Sequence, residues 1–448
     1  MINPTELQLL RDALDKLAEG YSSLPDFTPT FDADAAAQVL QTVAERMQDN
    51  YPYFHPQYAG QMLKPPHPIA RIAYALSLWI NPNNHALDGG RASSAMEKEC
   101  IVELGRMFGW QNLLGHLAGG GTMANLEALW VAGKLRPGER ILASEQAHYT
   151  HSRISDVLGL SFSPVAVDAQ GRMDMAALES MLRDGDVGTV VATMGTTGLG
   201  SVDPLSAILD LQARYDFRVH ADAAYGGYFT LAGALGSDAR NAFDRLAAVD
   251  SIVIDPHKHG LQPYGCGCVL FRDPAVGRLY KHGSPYTYFS SAELHLGEIS
   301  LECSRPGAAA VALWATQRLL PLIPGGEFSQ VLDDCLAAAR DFHEQLDASD
   351  AFVPLIEPEL DIVVYAVNAA DTATASQRAR RIFDIAAGKE LHLALVELPA
   401  EFVQRAAPGM NVESDRVSCL RSVLMKPEQR DWIQKLIDLL EASAAEAG

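Results

Sequence analysis

The segment Asp250-Ser-Ile-Val-Ile-Asp-Pro-His-Lys-His-Gly260 constrains this chain more than any other. Ser251–Ile254 reads as a buried strand, and Pro256, which has no N–H to give a ladder, stops it. Lys258 then stands where a core strand ends, with Gly260 freeing the backbone behind it. An ammonium in such a place is costly to desolvate, so it calls for a partner or a covalent bond. The alternative is a lysine in a polar surface turn, which is where most lysines are found. The chain upstream favours the first reading.

Ile141–Ser144, Phe162–Val167, Thr189–Thr193 and Phe217–Ala221 read as strands. They alternate with helical stretches at Ser152–Leu160, Met175–Leu182 and Leu205–Tyr215. That alternation predicts an α/β fold whose mostly parallel sheet is covered on both faces. Val269–Phe271 is expected to return as an antiparallel strand at the sheet's end. Ligands of open α/β sheets bind at the carboxyl ends of the strands, and Asp222 in His220-Ala-Asp-Ala-Ala-Tyr-Gly-Gly227 falls there. Asp222 and Lys258 at two strand ends are what pyridoxal phosphate requires. The lysine bonds its aldehyde, and the carboxylate keeps the ring nitrogen protonated so that the ring withdraws electrons. A helix N-cap is the other role open to Asp222.

Gly115-His-Leu-Ala-Gly-Gly-Gly-Thr-Met-Ala-Asn125 precedes a helical stretch at Leu126–Lys134. Glycines let backbone approach an anion, and a helix N-terminus offers free N–H groups, so Gly121, Thr122 and Asn125 are candidates to cradle a phosphate. A dinucleotide fingerprint competes, with Gly119, Gly121 and Ala124 in its glycine positions and Glu145 as its acidic residue about 20 positions on. That reading gives Lys258 and Asp222 nothing to do, and it is set aside.

Taken together, Ala118-Gly-Gly-Gly-Thr-Met-Ala-Asn125, Ser144-Glu-Gln-Ala-His-Tyr149, Thr193-Met-Gly-Thr-Thr-Gly198 with Asp203-Pro204, His220–Gly227 and Asp255-Pro-His-Lys258 carry a resemblance. In content and order they resemble the pyridoxal-phosphate-dependent group II amino-acid decarboxylases, the family of glutamate, aromatic and tyrosine decarboxylases. The resemblance implies the aspartate-aminotransferase-like fold (fold type I), with a small α+β C-terminal domain. It implies pyridoxal 5'-phosphate as cofactor, held by Gly121, Thr122, His148, Thr196, Asp222, Ala224, His257 and Lys258. His148 would stack on the ring, with His151 as the spare if the register slips by one turn. A loop tyrosine, Tyr288 or else Tyr286, would return a proton after carbon dioxide leaves. Arg305 and Arg421 are candidates for a substrate carboxylate, each with an ordinary salt-bridge or sheet-capping role as alternative. The expected reaction removes the α-carboxylate of an L-amino acid, aromatic or acidic. A carbon–carbon lyase related to sphingosine-phosphate lyase, an aldehyde synthase and a coenzyme-binding scaffold are the alternatives.

Across 448 residues, two or three domains are expected: an N-terminal helical segment over 1–68, a coenzyme domain over 69–323 and a small domain over 324–448. A formal net charge of −21 argues against nucleic acid or an anionic membrane surface as partner. Six cysteines show no framework, Cys266-Gly-Cys268 lacks zinc or redox spacing, and neither a leader pattern nor a bilayer-spanning run is present. A cytoplasmic protein without metal is expected. Thr5 is expected to cap a helix bearing Leu7, Leu10, Leu14 and Leu17 on one stripe, followed by a second helix over Asp34–Gln48. Their apolar faces have no local cover, and the resemblance implies a homodimer clasped there with active sites near the interface. Coverage by the chain's own C-terminal domain is the alternative. Tyr53, Phe54 and Trp79 would suit an aromatic substrate; Arg91, Arg305 or Arg421 would suit an acidic one.

Overall fold

The computed structural model describes residues 3–281 and 299–448. Its centre is a seven-stranded sheet made of β1 (Leu114–Ala118), β2 (Arg140–Ser144), β3 (Phe162–Val165), β4 (Val187–Thr193), β5 (Arg218–Asp222), β6 (Ser251–Ile254) and β7 (Gly267–Phe271). The spatial order is β1-β7-β6-β5-β4-β2-β3. The pairs from β3 through β6 are parallel, and β7 runs antiparallel to both of its neighbours. The architecture is thus α/β with a mostly parallel sheet. Every residue of β4, β6 and β7 is buried, the continuous apolar run that a doubly covered sheet demands.

Two expectations need correcting. The antiparallel strand does not lie at the sheet's end, because β1 pairs along its outer side. Strand β1 itself was not foreseen: it carries Gly115 and His116, which weaken a strand pattern. His116 is buried there because Glu127 lies 2.8 Å from its Nε2 and the Leu117 carbonyl 2.7 Å from its Nδ1. The first helix, Pro4–Glu19, is capped by Asn3 and not by Thr5; the Asn3 side chain accepts the Thr5 N–H at 3.0 Å.

A second sheet of four antiparallel strands follows, in the order β10-β11-β9-β8. It comprises β8 (Phe352–Pro354), β9 (Ile362–Val367), β10 (Ala394–Pro399) and β11 (Arg416–Val423). Helices Glu327–Asp347, Thr372–Gly388 and Ile433–Ala447 cover it, burying Phe342, Ile382, Leu436 and Leu440 against Val363, Tyr365 and Leu420. Strand register brings the site's backbone together. Thr193 pairs with Asp222 and Asp222 with Val253, so β4, β5 and β6 end side by side. Ala118 pairs with Gly267, which sets the glycine turn beside them. The helices Pro4–Glu19 and Ala33–Met47 bury no residue of their own. Among the described residues no helix is long and apolar enough to cross a membrane.

Candidate active site

At the carboxyl ends of these strands lies a cavity of about 560 Å³, within the usual range for small-molecule sites. Its wall includes Gly119–Met123, His148, Asp222, Ala224, His257 and Lys258. The structure therefore brings together residues from each of the sequence motifs.

The helix Gly121–Leu135 starts with no side-chain cap, so its first N–H groups are left for another acceptor. The turn ahead of it is closed by backbone packing. Gly120 has φ +153°, a conformation open to glycine alone. A Cβ on Gly267 would sit 2.5 Å from the Gly120 carbonyl carbon, and one on Gly121 would sit 2.7 Å from Asp255 Oδ2. Uncapped N–H groups on a cramped glycine turn suit a phosphate. Asn125 also lines the cavity, with its Oδ1 2.8 Å from His220 Nε2. The Gly119 N–H is taken by Glu302 Oε2 at 2.9 Å.

Lys258 Nζ lies 3.0 Å from Asp255 Oδ2, and His257 Nε2 lies 3.5 Å from the same oxygen. Asp255 is buried and its Oδ1 meets no hydrogen-bond partner among the described residues. The lysine is thus held beside a buried carboxylate just past the end of β6. Asp255 belonged to a recognised motif, yet nothing in that motif gave it a role; a charge placed directly at a strand end was the signal.

Asp222 is buried at the end of β5, where Oδ1 accepts the Ala224 N–H at 3.2 Å and Oδ2 lies 2.7 Å from His151 Nε2. Burial alone would raise its pKa. The hydrogen bond from His151 and the charges of His151, His220 and Lys258 outweigh that and hold the carboxyl well below the ordinary range. Asp222 stays an anion facing the cavity. His148 also lines it, with its Nδ1 2.8 Å from Thr150 Oγ1 and 3.3 Å from the Thr150 backbone nitrogen. Burial lowers the His148 pKa below that of free imidazole. The flat imidazole, the carboxylate, the amine and the glycine turn share one space that fits an aromatic aldehyde bearing a phosphate.

Other candidates land elsewhere. Thr196 is fully buried behind the cavity, its Oγ1 accepting the Ser201 N–H at 3.1 Å; Thr193 and Thr197 supply the wall at this turn. Arg305 is not a cavity residue. Its Nη1 donates to Glu97 Oε1 at 2.7 Å and its Nη2 to the Asn84 carbonyl at 3.1 Å. Arg421 donates to the Thr197 carbonyl at 2.8 Å and to Gln61 Oε1 at 2.6 Å, while its buried Nε has no partner among the described residues. Phe54 and Trp79 are exposed, as is Arg91, and none of them lines the cavity. Tyr286 and Tyr288 lie outside the described residues. Tyr225, which lines the cavity, was missed; its hydroxyl reaches Asp361 at the foot of β9, a partner that no local pattern reveals.

Comparison with known proteins adds to this geometry. Residues 130–368 match the family profile described as the pyridoxal-dependent decarboxylase conserved domain. The chain is 30% identical over 310 residues to a probable L-tyrosine/L-aspartate decarboxylase of Methanothermobacter thermautotrophicus, covering 68% of this chain and 82% of that protein. It is 29% identical over 331 residues to an L-aspartate decarboxylase of Thermococcus kodakarensis, covering 73% and 84%. A crystal structure of Oryza sativa TDC with PLP and tryptamine superimposes with a TM-score of 0.81 at 19% identity, covering 99% of both chains.

The Arg305–Glu97 pair is buried on both sides, at 4% and 1% side-chain exposure. Arg305→Met strands the Glu97 carboxylate, so a loss of about 3–5 kcal/mol in unfolding free energy is expected by denaturant titration. Arg305→Met together with Glu97→Gln should recover part of that loss.

Proposed function

The chain belongs to the pyridoxal-dependent decarboxylase family and is a pyridoxal-phosphate-dependent carboxy-lyase acting on an amino acid; on that premise we propose that it removes the α-carboxylate of an L-amino acid with an aromatic or acidic side chain. The observation that carries the reading is the single cavity shared by Lys258, an ionised Asp222 and the uncapped glycine turn. When bound, pyridoxal phosphate supplies an aldehyde for an amine and a ring that withdraws electrons from the bond to be broken.

The chain's own residues do the rest. The N–H groups of Gly121 and Thr122, at the positive end of the helix dipole, hold the phosphate. Lys258 provides the anchoring amine, and Asp255, 3.0 Å away, takes up its proton. Asp222 holds a proton on the ring nitrogen, with the Ala224 backbone N–H fixing one of its oxygens. His148 would cover the ring with its flat imidazole, oriented by Thr150 at its Nδ1. His257, bonded through Nδ1 to the Cys266 carbonyl at 2.8 Å, keeps the turn before Lys258 in place. Tyr288, or else Tyr286, returns a proton to the substrate carbon.

Arg421 does not line the cavity, but of the candidate arginines it is the one bonded to a residue of its wall. It is buried, its two hydrogen bonds go to neutral oxygens, and it touches Thr197 on the cavity wall. A guanidinium buried without an anion is costly, and a substrate carboxylate would offset that cost. This favours an acidic substrate over an aromatic one, in keeping with the aspartate named for both relatives. All six cysteines are unpaired, which supports a cytoplasmic setting.

A homodimer also fits. Phe27 and Phe31, between the two N-terminal helices, are 85% and 75% exposed, and Leu7, Val39, Leu40 and Met47 on those helices are exposed as well. Burying each such side chain is worth about 1.5–3 kcal/mol, and a patch of this kind marks an interface. A second copy of the chain is the proposed cover.

Three outcomes are expected. Wild-type protein should release carbon dioxide from L-aspartate or L-glutamate in preference to L-tyrosine in a panel assay. Lys258→Ala should lose the yellow colour of bound coenzyme and at least ~10³-fold in turnover, and a coloured, fully active variant would refute the role of Lys258. Leu40→Asp with Val43→Asp should shift the mass by light scattering from dimer to monomer, whereas a monomeric wild type would contradict the dimer.

A further inference from the structure

His151, on the helix Thr150–Leu158, is bonded differently from His116 and His220, the two histidines buried in the large sheet. His116 has partners for both ring nitrogens, Glu127 and the Leu117 carbonyl. His220 has two as well, Asn125 and Ser251, each at 2.8 Å. His151 is fully buried, yet only its Nε2 is bonded, to Asp222; its Nδ1 meets nothing among the described residues. The bonded nitrogen of His151 is thus the one aimed at Asp222. Its place in the chain is equally specific. The His151 N–H bonds the His148 carbonyl at 3.1 Å, so one helical turn sets His148 on the cavity wall and His151 behind it, under Asp222.

We propose that His151 is a positioning residue: its Nε2–H fixes the Asp222 carboxylate and keeps it anionic, so that the proton shared with the coenzyme stays on the ring nitrogen. This rests on the coenzyme site proposed above. A carboxylate oxygen has two lone pairs, so with His151 on Oδ2 and the Ala224 N–H on Oδ1, Asp222 still has room for the ring N–H. In a buried site a carboxylate–pyridinium ion pair competes with a neutral pair in which the proton has crossed to the acid. A donor on the carboxylate favours the ion pair; without it the neutral pair gains. The other titratable groups facing this region are His148, His220 and Lys258, and none of them has a hydrogen bond to Asp222 among the described residues.

The test compares wild type, His151→Leu, His151→Gln and His151→Asn, each loaded with pyridoxal phosphate carrying ¹⁵N in its ring. Gln keeps an N–H donor near the place of Nε2; Leu has none and Asn is too short to reach. Expected are a ring-nitrogen chemical shift of the protonated form in wild type and His151→Gln, and a move toward the unprotonated form in the Leu and Asn variants. The same two variants should lose about tenfold in kcat, the effect of one lost hydrogen bond to a charged group, with little change in KM. If Leu does not fold, Asn carries the comparison. An unchanged shift and kcat in the variants lacking the donor overturns the proposal for His151 alone. A wild type that takes up no coenzyme overturns the site reading itself.

Discussion

An anion buried at a strand end has to be supplied with donors, and much of this site follows from how Asp222 obtains them. Burial works against its charge; His151 and the Ala224 N–H restore it. Asp222 meets them because β4, β5 and β6 are in register, which lines up Thr193, Asp222 and Val253 at one edge, while the helix Thr150–Leu158 brings His151. The same register carries the chain from Ile254 into Asp255 and Lys258. The amine, on the turn that follows β6, and the acid, at the end of β5, thus face a common cavity.

The opposite wall has a different origin. Residues Gly119–Gly121 can turn as they do because Gly267 and Asp255 leave no space for a side chain. The turn delivers an uncapped helix end, and with it the dipole and N–H groups that an anion needs. A cation at one side, an anion at another and a set of open donors at a third make a site selective for an aromatic phosphate. The second sheet contributes from behind, where the Tyr225 hydroxyl meets Asp361 and Arg421 meets the Thr197 carbonyl. These bonds tie the cavity wall to the C-terminal layer.

Much of this was legible in the sequence wherever the signal was local. Ser251–Ile254 is a strand with the bounds that Pro256 and its apolar run suggest, and Asp222 ends β5 as its neighbours imply. What escaped depends on long-range pairing. Strand β1 looked unlike a strand because His116 is acceptable in a core only once Glu127 is beside it. That β7 is flanked on both sides is a matter of topology, and nothing in Val269–Phe271 encodes it. Thr196 and Thr197 are adjacent on one turn, and only the turn's geometry decides which faces the cavity. Arg305 seemed equally able to bind substrate or make a salt bridge, since Glu97 lies far away in the chain.

The central claim is that Lys258, beside Asp255 and across the cavity from Asp222, is the residue that bonds the coenzyme. Reduction of the loaded protein with borohydride, followed by digestion and peptide mass spectrometry, tests it most directly. The account predicts a single pyridoxyl-phosphate adduct on Lys258. An adduct on another lysine, or none at all in protein that has bound the coenzyme, would contradict it.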